Sequence, residues 1–225
     1  VDLARRHDAL LHILHLTTAI EMPLFSSAHR SEKRITAEVC VHHLWFDETR
    51  YEELGTRIKC NPAIKSAEDR KALLAALNEG RIDIIATDHA PHTVQEKSAT
   101  YFKAPAGLPL VQHAMLTLFD LVAQGEISVE LLVDRVSHAP SDLFGVKDRG
   151  YVREGWFADL VIVDAAASYK VSESNLLCKC QWSPFEGHEF SASIDTTIVN
   201  GEVVYRDGAL TGAITGRRLE FERAR

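Results

Sequence analysis

Two rhythms of apolar and polar positions run along this chain, and the change from one to the other comes near residue 149. In the first part, apolar runs of strand length alternate with segments of helical period. Leu11-His12-Ile13-Leu14-His15-Leu16, closing in Thr17-Thr18, has the look of a buried strand interrupted by two histidines. A second strand is predicted over Arg34–Cys40, passing into Val41-His42-His43-Leu44, and a third over Ile82–Thr87, passing into Asp88-His89-Ala90-Pro91-His92. The clearest helix lies between these two. Ser66 is its N-cap, Asp69 three residues on nearly completes a capping box, Leu73, Leu74 and Leu77 mark one face, and Gly80 stands where a C′ glycine belongs. Residues 1–10 read as the end of an amphipathic helix, and residues 19–31 as partly helical. Strands alternating with helices predict a parallel α/β sheet. Residues 93–107 read as a loop, broken by Pro105 and Gly107. Residues 108–125 and 127–144 read as two helices, the second capped by Ser128.

Past Arg149-Gly150 the runs become short and alternating: Asp159–Asp164, Thr196–Val199 and Val203–Tyr205. Asn200-Gly201 between the last two predicts a type I′ hairpin, and Asp207-Gly208 is expected to end it. The expected division is therefore an α/β part over residues 1–148 and a small β unit over residues 149–225.

Composition narrows the function classes. At 225 residues and 46% hydrophobic content the chain can bury a sizeable core. Its net charge of −7, with Lys and Arg scattered, leaves no nucleic-acid footprint. No apolar run reaches the length of a membrane span. Cys40, Cys60, Cys178 and Cys180 form no C-x-x-C pair and read as reduced thiols of a cytoplasmic protein. The first residues lack a signal-peptide pattern and an initiating Met, and the chain is expected to begin inside a helix, as a fragment or processed product would.

The histidines carry the chemical signal. His12, His15, His42, His43, His89 and His92 fall at or just past the ends of the three predicted strands, where parallel sheets and barrels place their chemistry. His15 is a metal-ligand candidate or, alternatively, a hydrogen-bonded core residue. His12, three residues earlier, faces the other way and reads as structural. Asp88 ends a strand, where a carboxylate is costly to bury unless paired, hydrogen-bonded or metal-bound. The alternative for Asp88 is an N-cap, which Pro91 and the loop-like residues after it weaken. His15 and Asp88 could share one divalent ion, and a ligating carboxylate can also take a proton from water. His92 suits an anionic substrate. Asn61, before Pro62, is a turn residue or an amide that meets a substrate ring. His89 is solvated or supports another group, and His42 and His43 are expected to be structural or to support the site. Nucleotide-loop, G-x-S-x-G and H-E-x-x-H signatures are absent.

The string Ala86-Thr87-Asp88-His89-Ala90-Pro91-His92 closely resembles the signature of the dihydroorotase family of cyclic amidohydrolases. Other segments match in the same order. His12–Thr18 looks like the family's H-x-x-H-x-S/T segment, Glu38–Leu44 like E-x-x-P-H-H-L with Val41 in place of Pro, Lys59–Lys65 like the N-P-P-L-R loop, and Pro105-Ala106-Gly107 like the P-x-G loop. From Gly155 to Gly201 the tail is similar to the closing β-sandwich of the wider superfamily. The resemblance implies an α/β fold, the C-terminal part of a (β/α)8 TIM-like barrel comprising strands 6 to 8 and their helices, followed by a small β-sandwich segment. It implies Zn2+, one or two ions, with His15 and Asp88 as ligands and Asp88 as catalytic acid/base. Asn61, His92, Ala106 and Gly107 are implied to bind the substrate, dihydroorotate or carbamoyl aspartate, in pyrimidine synthesis. The family's H-x-H pair, its bridging carboxylated Lys or Asp, and its fifth-strand His do not occur in this sequence. The resemblance therefore implies an N-terminal half of the barrel as partner, without which this segment is neither closed nor active. A homodimer is compatible with it. The rival readings are an allantoinase or a dihydropyrimidinase (hydantoinase) and, in another class, a non-catalytic amidohydrolase-like scaffold or partner subunit.

Overall fold

The computed structural model describes residues 1–222. They fall into two compact units, Val1–Leu118 with Val171–His188, and Phe119–Lys170 with Glu189 onward.

The first unit is built on three parallel strands in sequence order: β1 (Leu11–Ile13), β2 (Ile35–Cys40) and β3 (Ile84–Ala86). Leu11 pairs with Ile35 and Ile13 with Ala37, while Glu38 pairs with Ile84 and Cys40 with Ala86. As the middle strand, β2 is covered on both faces, and Ala37, Val39 and Cys40 are fully buried. β1 is shorter than its apolar run because the backbone turns left-handed at His15, with φ of 37°. One further bond, Leu16 N–H to the Glu38 carbonyl at 2.9 Å, keeps the chain beside β2.

The helix Ala67–Asn78 packs Leu73, Leu74 and Leu77 into the core. Ser66 caps it by accepting from Asp69 N–H, and Gly80 follows with φ of 79°. Lys33, just before β2, and Asp83, just before β3, form a buried ion pair at 2.7 Å, with side chains 1% and 2% exposed. The second Asp83 oxygen accepts from Ala37 N–H at 3.0 Å.

Two segments differ from expectation. Within residues 93–107 lies a short helix, Val94–Lys97, closed by a capping box between Thr93 and Glu96. The T-x-x-E spacing stands in the sequence, and the breakers Pro105 and Gly107 lie beyond the helix it caps. The next helix begins at Ala114 rather than near residue 108. The preceding residues are held extended: Ala90 N–H donates to the Leu108 carbonyl at 3.0 Å, and Leu110 N–H to His89 Nδ1 at 2.9 Å.

In the second unit, Ser128 caps a helix that runs from Val129 to Phe144. Its turn Asp134–His138 is a π segment immediately before Pro140, which lacks the N–H that an α-helical ladder requires. The strands are β4 (Leu160–Asp164), β5 (Tyr169–Lys170), β6 (Glu189–Phe190), β7 (Ser193–Val199), β8 (Glu202–Arg206) and β9 (Ala209–Leu210). They form an antiparallel sheet of order β4-β7-β8-β9 and a separate β5-β6 pair. Asn200-Gly201 turns β7 into β8 with φ of 52° and 87°. Asp207-Gly208, expected to end the hairpin, repeats that geometry at 52° and 80° and leads into β9. Among the described residues no helix is long and apolar enough to cross a membrane.

Candidate active site

The C-terminal ends of the three parallel strands carry the candidate residues. His15 stands two residues beyond β1 and Asp88 two residues beyond β3, on either flank of β2. Both backbones are left-handed, with φ of 37° at His15 and 45° at Asp88. Such φ values are uncommon outside glycine, although His and Asp tolerate them better than most residues. Each side chain is half-buried, and among the described residues neither has a hydrogen bond or ion pair to protein. The capping alternative for Asp88 falls away, because the next helix starts at Val94 with Thr93 as its cap. A carboxylate and an imidazole presented in this way are a suitable oxygen and nitrogen donor set for zinc. On that test the residues present fit the ion the resemblance implies.

His12 is engaged elsewhere. Its Nδ1 lies 2.8 Å from Thr36 Oγ1 and its Nε2 3.1 Å from Glu38 Oε2. His89 points away from the strand ends, where its Nδ1 accepts from both Leu110 and Val111 N–H.

Asn61 is exposed in the loop after Lys59-Cys60 and precedes Pro62 through a cis peptide. His92 and Ala106 meet directly, with His92 Nε2 donating to the Ala106 carbonyl at 3.0 Å. Trp182 Nε1 donates to the His92 carbonyl at 2.7 Å. Gly107 is tightly enclosed at φ of 136°, and a Cβ there would lie 2.4 Å from the Ala90 carbonyl oxygen. Its N–H donates to the Lys59 carbonyl at 2.9 Å. Gly107 thus shapes the loop, and its amide is not available to a ligand.

Lys97 organises this region, and the sequence did not single it out. Its ammonium donates to the carbonyls of Lys59 at 3.1 Å, Pro105 at 3.0 Å and Gly107 at 2.9 Å. The residue is 3% exposed, and burial lowers its pKa to about 8. The loop bearing Asn61 and the loop bearing Ala106 and Gly107 are joined through this one nitrogen. The unread Thr93–Glu96 box is the signal that would have placed Lys97 on a helix beside them.

Beneath the strand ends lie Cys40, His42, His43 and Cys60, all buried. His42 and His43 belong to the short helix Val41–Trp45 that continues directly from β2. Burial pushes the His42 pKa well below its ordinary value, helped by His43 and His15. Burial likewise takes His43 to about 4. The Cys60 thiol is pushed up to about 12, mainly by burial and also by the Asp88 carboxylate. The His15 imidazole and the Asp88 carboxylate thus both act electrostatically on this cluster.

Known proteins resemble this chain along most of its length. The model of the amidohydrolase family matches residues 5–204. The dihydroorotase of Halobacterium salinarum is 36% identical over 221 residues, 97% of this chain and 50% of that protein. The dihydroorotase of Pediococcus pentosaceus is 36% identical over 207 residues, 92% of this chain and 49% of that protein. Among solved structures, the L-hydantoinase (dihydropyrimidinase) of Arthrobacter aurescens superposes with a TM-score of 0.86 at 27% identity, covering 92% of this chain and 47% of that one. The D-hydantoinase of Thermus sp. shares the fold at a TM-score of 0.85 and 24% identity, covering 94% and 48%. The chain thus spans about half the length of the relatives it matches. With an α/β fold in common with solved amidohydrolases and a family match reaching from the first helix into β8, this chain belongs to the amidohydrolase family.

Proposed function

We propose that the chain is the C-terminal portion of a dihydroorotase, which interconverts L-dihydroorotate and N-carbamoyl-L-aspartate in pyrimidine synthesis. The observation that carries this reading is the pair His15 and Asp88. Both are half-buried, unpartnered among the described residues and turned left-handed past parallel strand ends, in a chain 36% identical to dihydroorotases. Residues 1–148 would supply barrel strands 6 to 8 and residues 149–225 the small β-sandwich segment, with the other barrel strands completing the site.

His15 and Asp88 would hold zinc, one or two ions. The ends of β1 and β3 are two strand spacings apart, roughly 10 Å, a span that two such side chains and their ion or ions can bridge. A divalent ion held there would supply Lewis acidity toward the substrate carbonyl and toward water near neutral pH.

In the ring-opening direction one water is consumed. A carboxylate oxygen of Asp88 takes a proton from the attacking water as a C–O bond forms at the ring carbonyl. The same oxygen returns that proton to the ring nitrogen as the C–N bond breaks. The products are a ureido nitrogen and a carboxyl group that releases its remaining proton to solvent, and closure takes up that proton and reverses each step. Asn61, His92 and the Ala106 backbone would orient the ring and its carboxylate, raising the effective concentration of the reacting groups. Gly107 contributes through its fit against Ala90.

The hydantoinase likeness favours a second reading, the same chemistry on a neutral five- or six-membered ring. Assays of the complete enzyme on dihydroorotate, dihydrouracil, hydantoin and allantoin, side by side, test the assignment. Preferred turnover of dihydroorotate is expected, and preferred turnover of a neutral ring would replace the reading with its rival.

A further inference from the structure

The cluster under the strand ends has polar atoms that protein packing leaves unsatisfied. His42 is 0% exposed, and neither of its ring nitrogens has a hydrogen-bond partner among the described residues. His43 is 3% exposed; its Nε2 meets the Pro62 carbonyl at 3.0 Å, while its Nδ1 has no partner among the described residues. A buried polar group without a partner is destabilising, so two adjacent imidazoles with three orphaned nitrogens call for a physical reason. Their rings lie 4.1 Å apart between centroids, tilted by 42°. Cys40, at the end of β2, is 0% exposed, and one ligand atom each from Cys40, His42 and His43 lie within 4.8 Å of one another. Cys60, from the neighbouring loop, has its sulfur 3.8 Å from His43 Nε2, and its thiol donates to the same Pro62 carbonyl at 3.0 Å.

We infer that Cys40, His42 and His43 form a buried zinc site distinct from the His15 and Asp88 pair. One sulfur and two imidazole donors suit zinc, with the fourth position left to water. Zn–S bonds near 2.3 Å and Zn–N bonds near 2.0 Å place ligand atoms about 3.3–3.5 Å apart, a contraction from the 4.8 Å within which they now lie. Binding releases the Cys40 thiol proton to water and engages one ring nitrogen of each imidazole. The ion would tie the end of β2 to the helix Val41–Trp45 as one rigid piece. This inference rests on the cluster alone, and it stands or falls separately from the proposed activity.

The test uses the protein produced in zinc-supplemented medium, with Cys178→Ser and Cys180→Ser introduced so that the other thiol pair contributes nothing. X-ray absorption at the zinc edge is expected to show sulfur at about 2.3 Å. The His15 and Asp88 pair offers nitrogen and oxygen only, so it cannot produce that signal. A zinc shell of nitrogen and oxygen alone, or no zinc retained, would overturn the site. In the cobalt-substituted protein, Cys40→Ala should remove the thiolate charge-transfer band and His15→Asn should leave it. A full band in Cys40→Ala also rules out the assignment. Should Cys40→Ala fail to fold, the absorption result in the double-serine protein decides alone.

Discussion

The Lys97 ammonium donates to the Gly107 carbonyl at 2.9 Å from a position that is only 3% exposed. The same nitrogen also holds Lys59 and Pro105, so it fixes the separation of the two loops that carry Asn61, Ala106 and Gly107. Replacing Lys97 with Met retains the buried stem and abandons three carbonyls. A loss of about 2–5 kcal/mol in urea denaturation is expected, with KM for dihydroorotate raised at least several-fold in the complete enzyme. A Lys97→Met protein with native stability and native KM would show that the loops hold without it. Gly107→Ala attacks the same junction from the other side. Its Cβ would meet backbone rather than a flexible side chain, 2.4 Å from the Ala90 oxygen, so the loop must shift.

At the strand ends, Asn is the informative replacement for Asp88. Asn accepts a left-handed φ readily, so Asp88→Asn preserves the backbone at 45° while removing the proton acceptor. Turnover is expected to fall by about 10²–10⁴ with substrate still bound. His15→Asn likewise keeps its turn and should lower the zinc content measured by elemental analysis. Near-native turnover in Asp88→Asn would remove Asp88 as proton carrier.

The Lys33–Asp83 pair lies before β2 and β3, at the opposite ends of these strands from the candidate site. With both side chains almost wholly buried, Asp83→Ala strands an ammonium in the interior and frees Ala37 N–H. Breaking such a pair costs about 3–5 kcal/mol. Denaturation should show that loss in full, and a cost below about 1 kcal/mol would mean that water reaches the pair.

His113 supplies a pH dependence. It is 1% exposed with Nδ1 3.1 Å from Ser183 Oγ, and burial lowers its pKa from 6.5 to about 4. Between these values the unfolded chain binds a proton that the folded chain refuses, so this contribution to stability is present above pH 6.5 and is lost as pH falls toward 4. A shift of that size corresponds to a few kcal/mol. Urea midpoints between pH 7 and pH 4.5 should decline, and His113→Gln should flatten the decline. An unchanged slope in the variant would assign the effect to other groups.

Much of the fold could be read residue by residue. The Ser66 cap, the Leu73, Leu74 and Leu77 face and the Asn200-Gly201 turn are local signals, and each element formed where its signal stood. The helix Val94–Lys97 had a local signal in its Thr93–Glu96 spacing, whereas the other departure came from contacts distant in sequence. The apolar stretch from residue 108 reads as helix, yet His89 and Ala90 hold its first residues extended from about twenty residues away. Lys97 carries no motif of its own, and nothing in its immediate neighbourhood says that three carbonyls converge on it.

By itself the sequence determined which residue types arrive at the ends of the parallel strands, because strand and helix periods are written in the order of side chains along the chain. Only the tertiary structure decided what each of those residues faces. Among the described residues it left His15 and Asp88 without protein partners, gave His12 and His89 hydrogen bonds elsewhere, and closed Cys40, His42, His43 and Cys60 together away from water. Partnership and desolvation depend on segments tens of residues apart meeting in space, and no local pattern encodes that meeting.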